Sequence, residues 1–415
     1  MRIGIDLVGY DPDYSGGVAT FSMGIAKGLI NSIRIPDRIV IIVSDRNESA
    51  LRFVFDGLPV SFLRISVTSW YRYANGVLGV LAWASRNFRL RGWYERWFRS
   101  DLMNQVDDSV DVLVAPMTKL NFYALKVPSI LCIHDIQHEY YPEFFSVKER
   151  MSRWVSYRLS CWKAAAIQAS SEYIKACLVE KFLFLKPEKI FVAYEGVDLE
   201  KFSSSAPCER PSNLEDLAKG DFVFYPAQIW AHKNHLLLLE ALAIFRTKHG
   251  EELPCVLTGQ DAGYWAVVQT RIRELDLKRV YYLGRVSFGQ VLWLYQNCRA
   301  VLALGLHESS SLPAREGAVF GKPLLCSNIP PNIEAQGHLY LEIVDSENPL
   351  DLADTFDRLL EDRDGINERS QENIERVRVF DWNSIAARYV SVCRELTASG
   401  HSTNSSIGGN PDFQK

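Results

Sequence analysis

Apolar and polar positions alternate in blocks along most of the chain, and the block lengths separate strands from helices. Short, continuous apolar runs such as "RIGIDLV" at 2–8 and "RIVIIVS" at 38–44 predict strands buried on both faces. Between them, "VATFSMGIAKGLINS" at 18–32 is longer and reads as a helix. This strand–helix–strand alternation predicts a parallel sheet covered by helices on both faces.

The alternation pauses at 198–220, which is rich in Ser, Pro and charge, and a second series begins at "DFVFYPAQ". We therefore predict two doubly wound domains, one over 1–203 and one over 204–380. A last helix over 381–398 is expected to pack back toward the first domain, and the polar tail 399–415 is expected to be disordered. Because ligands bind at the carboxyl ends of parallel strands, the expected active site is the cleft between the domains.

Composition narrows the class of protein. The net charge of −4 does not suit a nucleic-acid binder, and no nucleic-acid motif is present. Eight cysteines lie scattered without a CxxC pair, which indicates reduced thiols in a cytoplasm and no zinc site. The N-terminus does not resemble a signal peptide, and no apolar run is long enough to span a membrane.

The stretch "LGLHESSSLPAREGAVFGKP" at 304–323 predicts a strand end, a loop and a short helix. Ser311 is an N-cap candidate, and Pro313 suits the first helical turn. The backbone N–H groups around Ser310, Ser311 and Leu312 would form an anion site suited to a diphosphate.

Two carboxylates flank this anion site. Glu308 precedes it in the loop, and Glu316 lies about one turn inside the helix. Carboxylates accept hydrogen bonds from neighbouring hydroxyl groups, so the stretch suits a ligand with a ribose, a diphosphate and a sugar. The alternative is a capped surface helix with two solvated glutamates.

Cationic and histidine side chains follow the first strand of the second domain, in "YPAQIWAHKNH" at 225–235. Lys233 lies just past the strand, where an ammonium can reach a diphosphate. His232 and His235 could instead belong to a polar helix cap with Asn234 as N-cap.

Three features of the first domain also point to a ligand. Gly16 and Gly17 start a helix after the first strand, although this is no G-x-G-x-x-G fingerprint and a plain tight turn is an equal alternative. His134 and Asp135 end a strand, and His138 lies in the following loop. Loop histidines without a ligand are the alternative, and the "YYPEFF" that follows argues against a metal-binding helix.

The segment 70–100 combines four tryptophans and six arginines opposed by Glu95. This composition is typical of a surface that contacts anionic lipid. A helix packed on the domain by its tryptophan face, with solvated arginines, is the alternative.

"E-S-S-S-L-P-A-R-E" resembles the glutamate-pair signature of retaining glycosyltransferases of family 4, which have the GT-B fold of two Rossmann-like domains facing a central cleft. The resemblance extends over roughly 1–398. It departs from the family at Ser309–Ser311, where Gly-Phe-Gly is usual, and at Gln228, where arginine is usual. The missing positive charge would then come from elsewhere, with Arg285 and Arg315 as candidates.

The resemblance implies a role for each matching position. Glu316 would bind the ribose, Glu308 would lie by the transferred sugar and phosphate, and His134 near the donor sugar. The implied catalytic residues are Glu308, His134 and Lys233. The implied donor contacts are Gly16, Gly17, Gln228, Lys233, Ser310, Ser311, Leu312 and Glu316, with Asp135 and His138 on the acceptor side.

"HDIQHEYYPEFF" and "YPAQIWAHKNH" most resemble bacterial mannosyltransferases of O-antigen or exopolysaccharide assembly. The implied function is transfer of a hexose, mannose from GDP-mannose, to a growing lipid-linked polysaccharide. We expect this without a metal ion, in the cytoplasm, with peripheral membrane contact through 70–100. The alternatives are a UDP- or dTDP-sugar donor, a non-hydrolysing sugar-nucleotide epimerase, and a non-catalytic glycan-binding protein.

Overall fold

The structure, a computed structural model, describes residues 1–12, 16–34, 36–66, 77–78, 80–89, 100–203 and 207–402. Its chain forms two compact units. The first comprises Met1–Ser170, Lys175–Ala193 and the chain from Trp382 onward, and the second comprises Ser171–Ile174 and Tyr194–Asp381. The main crossing between them thus falls after Ala193, ten residues before the boundary that the sequence suggested at 203.

Within the described residues, the first unit contains a parallel sheet in the order β3-β2-β1-β4-β5-β6-β7. Its strands are β1 Arg2–Asp6, β2 Arg38–Ser44, β3 Val60–Ile65, β4 Val112–Ala115, β5 Ser129–Ile133, β6 Ala166–Ala169 and β7 Ile190–Val192. Its early helices are α1 Gly17–Ser32, α2 Glu48–Val54, α3 Ser100–Ser109, α4 Gln137–Tyr140, α5 Val147–Lys163 and α6 Glu172–Lys181, the last beginning in the second unit.

The second unit repeats the architecture with a parallel sheet in the order β10-β9-β8-β11-β12-β13. Its strands are β8 Val223–Pro226, β9 Cys255–Thr258, β10 Val280–Tyr282, β11 Ala300–Ala303, β12 Leu324–Ser327 and β13 Glu342–Val344. Its helices are α7 Leu199–Ser203, α8 His235–His249, α9 Trp265–Glu274, α10 Phe288–Asn297, α11 Leu312–Val319, α12 Pro330–Ala335, α13 Pro349–Glu361, α14 Arg363–Gln371 and α15 Asn373–Arg376.

The strand order of the second sheet decides where its ligand-binding loops lie. The chain starts at β8, moves outward to β9 and β10, and then returns to place β11 on the other side of β8. The loops after β8 and β11 therefore diverge at the carboxyl edge of the sheet, and such a point of reversal opens a crevice for ligands.

The last helix, α16 Trp382–Ser402, packs on α1 within the first unit. It extends four residues past 398, into the expected tail. Two glycines of α1 allow the close approach, because a Cβ at Gly24 would lie 2.1 Å from the Trp382 ring and one at Gly28 2.5 Å from the Trp382 carbonyl oxygen. The Trp382 ring also meets the edge of Phe21, with 5.3 Å between centroids.

All eight cysteines lie in the described part of the chain, and all are free thiols. Cys208 is exposed and the other seven are buried. Burial raises the pKa of the thiols of Cys132, Cys161, Cys298, Cys326 and Cys393 to about 12. Across the described ranges, we find no helix long and apolar enough to cross a membrane.

Candidate functional site

The loops after β8 and β11 are joined by an ion pair. Lys233 lies on the short 3-10 turn Ala231–Lys233, and its Nζ donates to Glu308 Oε1 at 2.5 Å. The side chains are 21% and 17% exposed, so both keep an accessible face. The turn is fixed because the Tyr225 hydroxyl donates to the Lys233 carbonyl oxygen at 2.5 Å. The structure thus brings together two residues that are 75 positions apart in the chain.

Glu308 can fold toward Lys233 because Gly305 has no side chain. A Cβ at Gly305 would lie 2.2 Å from Glu308 Oε1, closer than any stable contact. Gly305 therefore allows the carboxylate to reach its place above the end of β11.

Each of the three serines that replace Gly-Phe-Gly forms a side-chain hydrogen bond. Ser309 Oγ donates to Glu195 Oε1 at 3.1 Å, and Ser311 Oγ donates to Asn332 Oδ1 at 2.5 Å. Ser310 Oγ accepts from Arg315 Nη1. Ser311 occupies the N-cap position of α11 as expected, but its hydroxyl does not cap the helix.

Arg315, one of the two candidates for the positive charge missing at Gln228, is enclosed within the second unit. Its side chain is 4% exposed and lies over the Phe380 ring at 4.4 Å. Burial lowers its pKa to about 10, against the opposing effect of the Glu195 carboxylate, so it stays protonated at neutral pH. Arg285 is exposed just after β10.

Glu316 is held by a buried tyrosine. The Tyr295 hydroxyl, on α10, donates to Glu316 Oε2 at 2.5 Å. Burial raises the pKa of Glu316, while the Tyr295 hydrogen bond opposes that rise. One carboxylate oxygen is thus fixed, in a half-buried side chain suited to accept hydrogen bonds from hydroxyl groups.

The two histidines beside Lys233 are buried and uncharged. Burial lowers the pKa of His232 to about 2 and that of His235 to about 3, and the Lys233 ammonium adds to both effects. Neither can therefore act as a cation at neutral pH. Asn234 does stand before α8, but its amide donates to the Ser346 carbonyl oxygen at 2.8 Å and makes no cap bond.

The two predicted histidines of the first unit are buried and contact other residues of that unit. His134 is 3% exposed, with its Nε2 2.8 Å from the Pro116 carbonyl oxygen and its ring 4.5 Å from Phe21. Because the carbonyl can only accept, Nε2 carries the proton. Asp135 accepts from the Gln137 N–H at 3.1 Å.

His138 is also enclosed by packing. It is 5% exposed and meets the edge of the Tyr157 ring at 5.0 Å. Its Nε2 lies 3.3 Å from Glu139 Oε1. Gly16 and Gly17 begin α1, and a Cβ at Gly17 would meet nothing within 4 Å.

One set of predicted residues therefore shares the carboxyl edge of the second sheet and the start of α11: Gln228, Lys233, Glu308, Ser310, Ser311, Leu312 and Glu316. The remaining ones, Gly16, Gly17, His134, Asp135 and His138, belong to the first unit. Among the residues that the structure describes, no three or more His, Cys, Asp or Glu side chains group as a metal site would require.

Three supporting residues escaped the sequence analysis. Glu195 follows β7, and its carboxylate accepts the hydrogen bond from Ser309. Tyr295 and Asn332 each bind a site residue 21 positions away. Only the carboxylate of Glu195, 5% exposed, gave a sequence signal, because a charged residue within an apolar segment needs a partner.

Two family models match the chain, one over most of the first unit and one over most of the second. The model described as Glycosyltransferase Family 4 matches residues 15–201, and the model described as Glycosyl transferases group 1 matches residues 210–377. The chain belongs to glycosyltransferase family 4. The second model contains the whole of the Lys233, Glu308 and Glu316 site.

Relatives of this family-4 chain include the O-antigen chain mannosyltransferase RfbU of Salmonella typhimurium, which is 22% identical over 221 residues. The match covers 52% of this chain and 58% of that protein, so it spans less than two thirds of the relative's length.

Solved structures confirm the GT-B fold of the family-4 chain. The Anabaena protein Alr3699/HepE, in complex with UDP and glucose, is 17% identical with a TM-score of 0.67 over 95% of this chain and 100% of that one. A sucrose-phosphate synthase from Thermosynechococcus elongatus is 14% identical, with a TM-score of 0.67 over 96% and 99% of the two chains. At these identities the likeness concerns the fold alone.

Proposed function

We propose that the chain transfers a hexosyl group from a nucleotide-diphosphate sugar to a hydroxyl group of a glycan acceptor. The observation that carries this proposal is the partly exposed pair of Lys233 and Glu308 beside the start of α11. A cation, free backbone N–H groups and a carboxylate in one place match a diphosphate joined to a sugar. Membership of family 4 supports the same reaction class.

The reaction breaks the bond between the anomeric carbon and the donor phosphate oxygen and forms one between that carbon and the acceptor oxygen. Negative charge develops on the departing diphosphate, where the Lys233 ammonium and the N–H groups at the start of α11 stabilise it. The acceptor's proton passes to the departing phosphate oxygen on the same face of the sugar. The anomeric configuration is thereby retained.

Glu308 has one role before the donor binds and another after it has bound. Without a diphosphate, its carboxylate is the partner of Lys233 and balances the ammonium charge. A bound diphosphate replaces it as the counter-charge, which leaves the carboxylate beside the hydroxyls of the transferred sugar. Glu316, with one oxygen fixed by Tyr295, takes the ribose hydroxyls.

For the donor, we propose mannose from GDP-mannose, which the name of the Salmonella relative supports. A uridine nucleotide is the second candidate, since structural neighbours were crystallised with UDP. We propose that Lys233 and the N–H groups stabilise the leaving group without a metal ion. Activity should then survive EDTA, and loss of activity that magnesium or manganese restores would contradict this part.

For the acceptor, we propose a lipid-linked glycan at an anionic membrane surface facing the cytoplasm. Most of the segment 70–100 lies outside the described residues. In its described part, Val77, Val80 and Leu81 are 45%, 48% and 53% exposed, an apolar stripe at helical spacing. The guanidinium of Arg89 stacks 4.8 Å above Trp162 of the first unit.

The test is nucleotide release from a panel of sugar nucleotides, measured with and without a glycan acceptor. GDP-mannose should give acceptor-dependent release of GDP, and proton NMR of the product should show the donor's anomeric configuration. Turnover of a uridine donor instead would correct the donor while keeping the reaction. Nucleotide release that needs no acceptor would favour an epimerase, and glycan binding without turnover a binding protein.

A further inference from the structure

The three serines before α11 use their hydroxyl groups differently. Ser309 and Ser311 donate their hydroxyl hydrogens, to the Glu195 carboxylate and the Asn332 amide oxygen. The partner of Ser310 is the guanidinium of Arg315, which can only donate. Ser310 Oγ is therefore an acceptor in this bond, and its own hydrogen is directed at some acceptor other than Arg315.

Arg315 is well placed to fix that direction. It lies in the first turn of α11, is 4% exposed, and is held over the Phe380 ring at 4.4 Å. Ser310 is 8% exposed and directly precedes the N-cap residue of α11, whose first N–H groups face incoming anions. A hydroxyl hydrogen at this point and the backbone donors can serve the same anion.

We propose that Arg315 is a positioning residue that holds the Ser310 hydroxyl as a hydrogen-bond donor to the diphosphate of the sugar nucleotide. The inference rests on the proposed function and deepens it. It also accounts for two departures from the family pattern together, because the hydroxyl provides a phosphate donor in a chain that has Gln228 in place of arginine. Hydrogen bonds to a charged acceptor are the stronger kind, so the effect should be measurable.

Arg315 acts by orienting the Ser310 hydroxyl group, and its own charge does not attract the diphosphate over a long range. Glu195 and Glu334 both act electrostatically on its guanidinium, with Tyr194 beside them, so the positive charge is balanced within the second unit. Lys233 is different, since a bound diphosphate would replace Glu308 as its counter-charge. Nucleotide affinity should accordingly lose part of its salt dependence in Lys233→Ala and keep it in variants of Ser310 and Arg315.

The experiment compares a nucleoside diphosphate with its parent nucleoside by calorimetry on the full chain. Ser310→Ala should weaken binding of the diphosphate roughly tenfold and leave the nucleoside unaffected. Arg315→Met should give a similar loss, and the double variant should lose no more than either single one. Glu316→Ala, at the ribose, should weaken both ligands, and Arg273→Met, at an exposed position of α9, should weaken neither.

Arg315→Met leaves the buried Glu195 carboxylate without this cation, and the variant could fail to fold. Ser310→Ala and Ser310→Gly then carry the test, since both keep Arg315 and the carboxylates that balance its charge. Wild-type diphosphate affinity in Ser310→Ala would overturn this inference while the proposed function stands. Failure of the wild-type protein to bind any nucleoside diphosphate would overturn both.

Discussion

At the residue scale, the pairing of Lys233 with Glu308 makes a kinetic prediction. Lys233→Ala should slow turnover by at least about tenfold to a hundredfold, because it removes charge where the leaving group develops. Initial rates over a range of donor concentrations measure this. Lys248→Ala, an exposed lysine that also pairs with acids, Asp354 and Asp357, should behave as wild type. A higher KM for the donor at unchanged kcat would make Lys233 a uniform binder instead.

A second residue, Asp6 at the end of β1, makes stability depend on pH. Burial raises its pKa to about 6, against the opposing hydrogen bonds from the Asn121 amide. Between about pH 4 and 6 the folded protein keeps this proton and the unfolded chain releases it. Asp6 therefore adds its full contribution to the free energy of unfolding below about pH 4. This contribution, about 3 kcal/mol, is lost as the pH rises through about 6.

Chemical denaturation of wild type and Asp6→Asn across this range measures the effect as a difference. The wild-type protein should lose stability relative to the variant as the pH rises from about 4 to about 6. Parallel pH profiles would mean that Asp6 ionises normally in the folded state.

The sequence predicts which residues come together at the carboxyl edge of the second sheet where they lie in continuous motifs, but it does not predict the residues that support them. Glu308, Glu316 and Lys233 follow from "ESSSLPARE" and from the position just past a strand, since local spacing and strand order carry that information. The Ser309 bond to Glu195 joins residues 114 positions apart, and no local pattern encodes such a pairing. The enclosure of Arg315 could not be predicted for the same reason, because its neighbours Phe380 and Glu195 come from distant segments.

At the element scale, the contact between α1 and α16 depends on the lack of a side chain at Gly28. Gly28→Ala should destabilise the first unit by about 1–3 kcal/mol, since its Cβ would meet the Trp382 backbone and force the helices apart. Gly17→Ala in the same helix is the matched control, because its Cβ would meet nothing within 4 Å. Denaturant unfolding should leave the control unchanged or slightly more stable. Equal stability of the two variants would show that the helices adjust freely.

The pattern of apolar and polar residues largely predicted the strands and helices themselves. The apolar runs at 2–8 and 38–44 became β1 and β2, and the helical pattern at 18–32 became α1. The periodicity of the sequence did not predict that the chain crosses between the units after Ala193, or that α16 ends at Ser402. Both depend on which surface a segment packs against, and the alternation of apolar and polar residues does not name that surface.

At the scale of the whole molecule, the proposed membrane contact makes a prediction about attachment. Replacing Arg89, Arg91 and Arg96 by glutamine should reduce sedimentation with anionic vesicles, because each basic residue near such a surface contributes on the order of 1 kcal/mol. Turnover on a lipid-linked acceptor should fall far more than turnover on a short water-soluble one. A matched control replaces Arg271, Arg273 and Arg279 of the second unit. If the first triple variant bound vesicles and turned over both acceptors as wild type does, the segment 70–100 would be an ordinary packed surface and the proposed membrane contact would be wrong.

The uneven burial of the thiols makes the molecule a natural reporter of its own unfolding. Cys208 should react with a thiol reagent in the folded protein, whereas buried thiols with a raised pKa should react only after local opening. Buried cysteines occur in both units, with Cys132 and Cys393 in the first and Cys255 and Cys326 in the second. Pulsed alkylation followed by peptide mass analysis can thus tell which unit opens first. A single fluorophore can also be attached at Cys208 without removing any other cysteine.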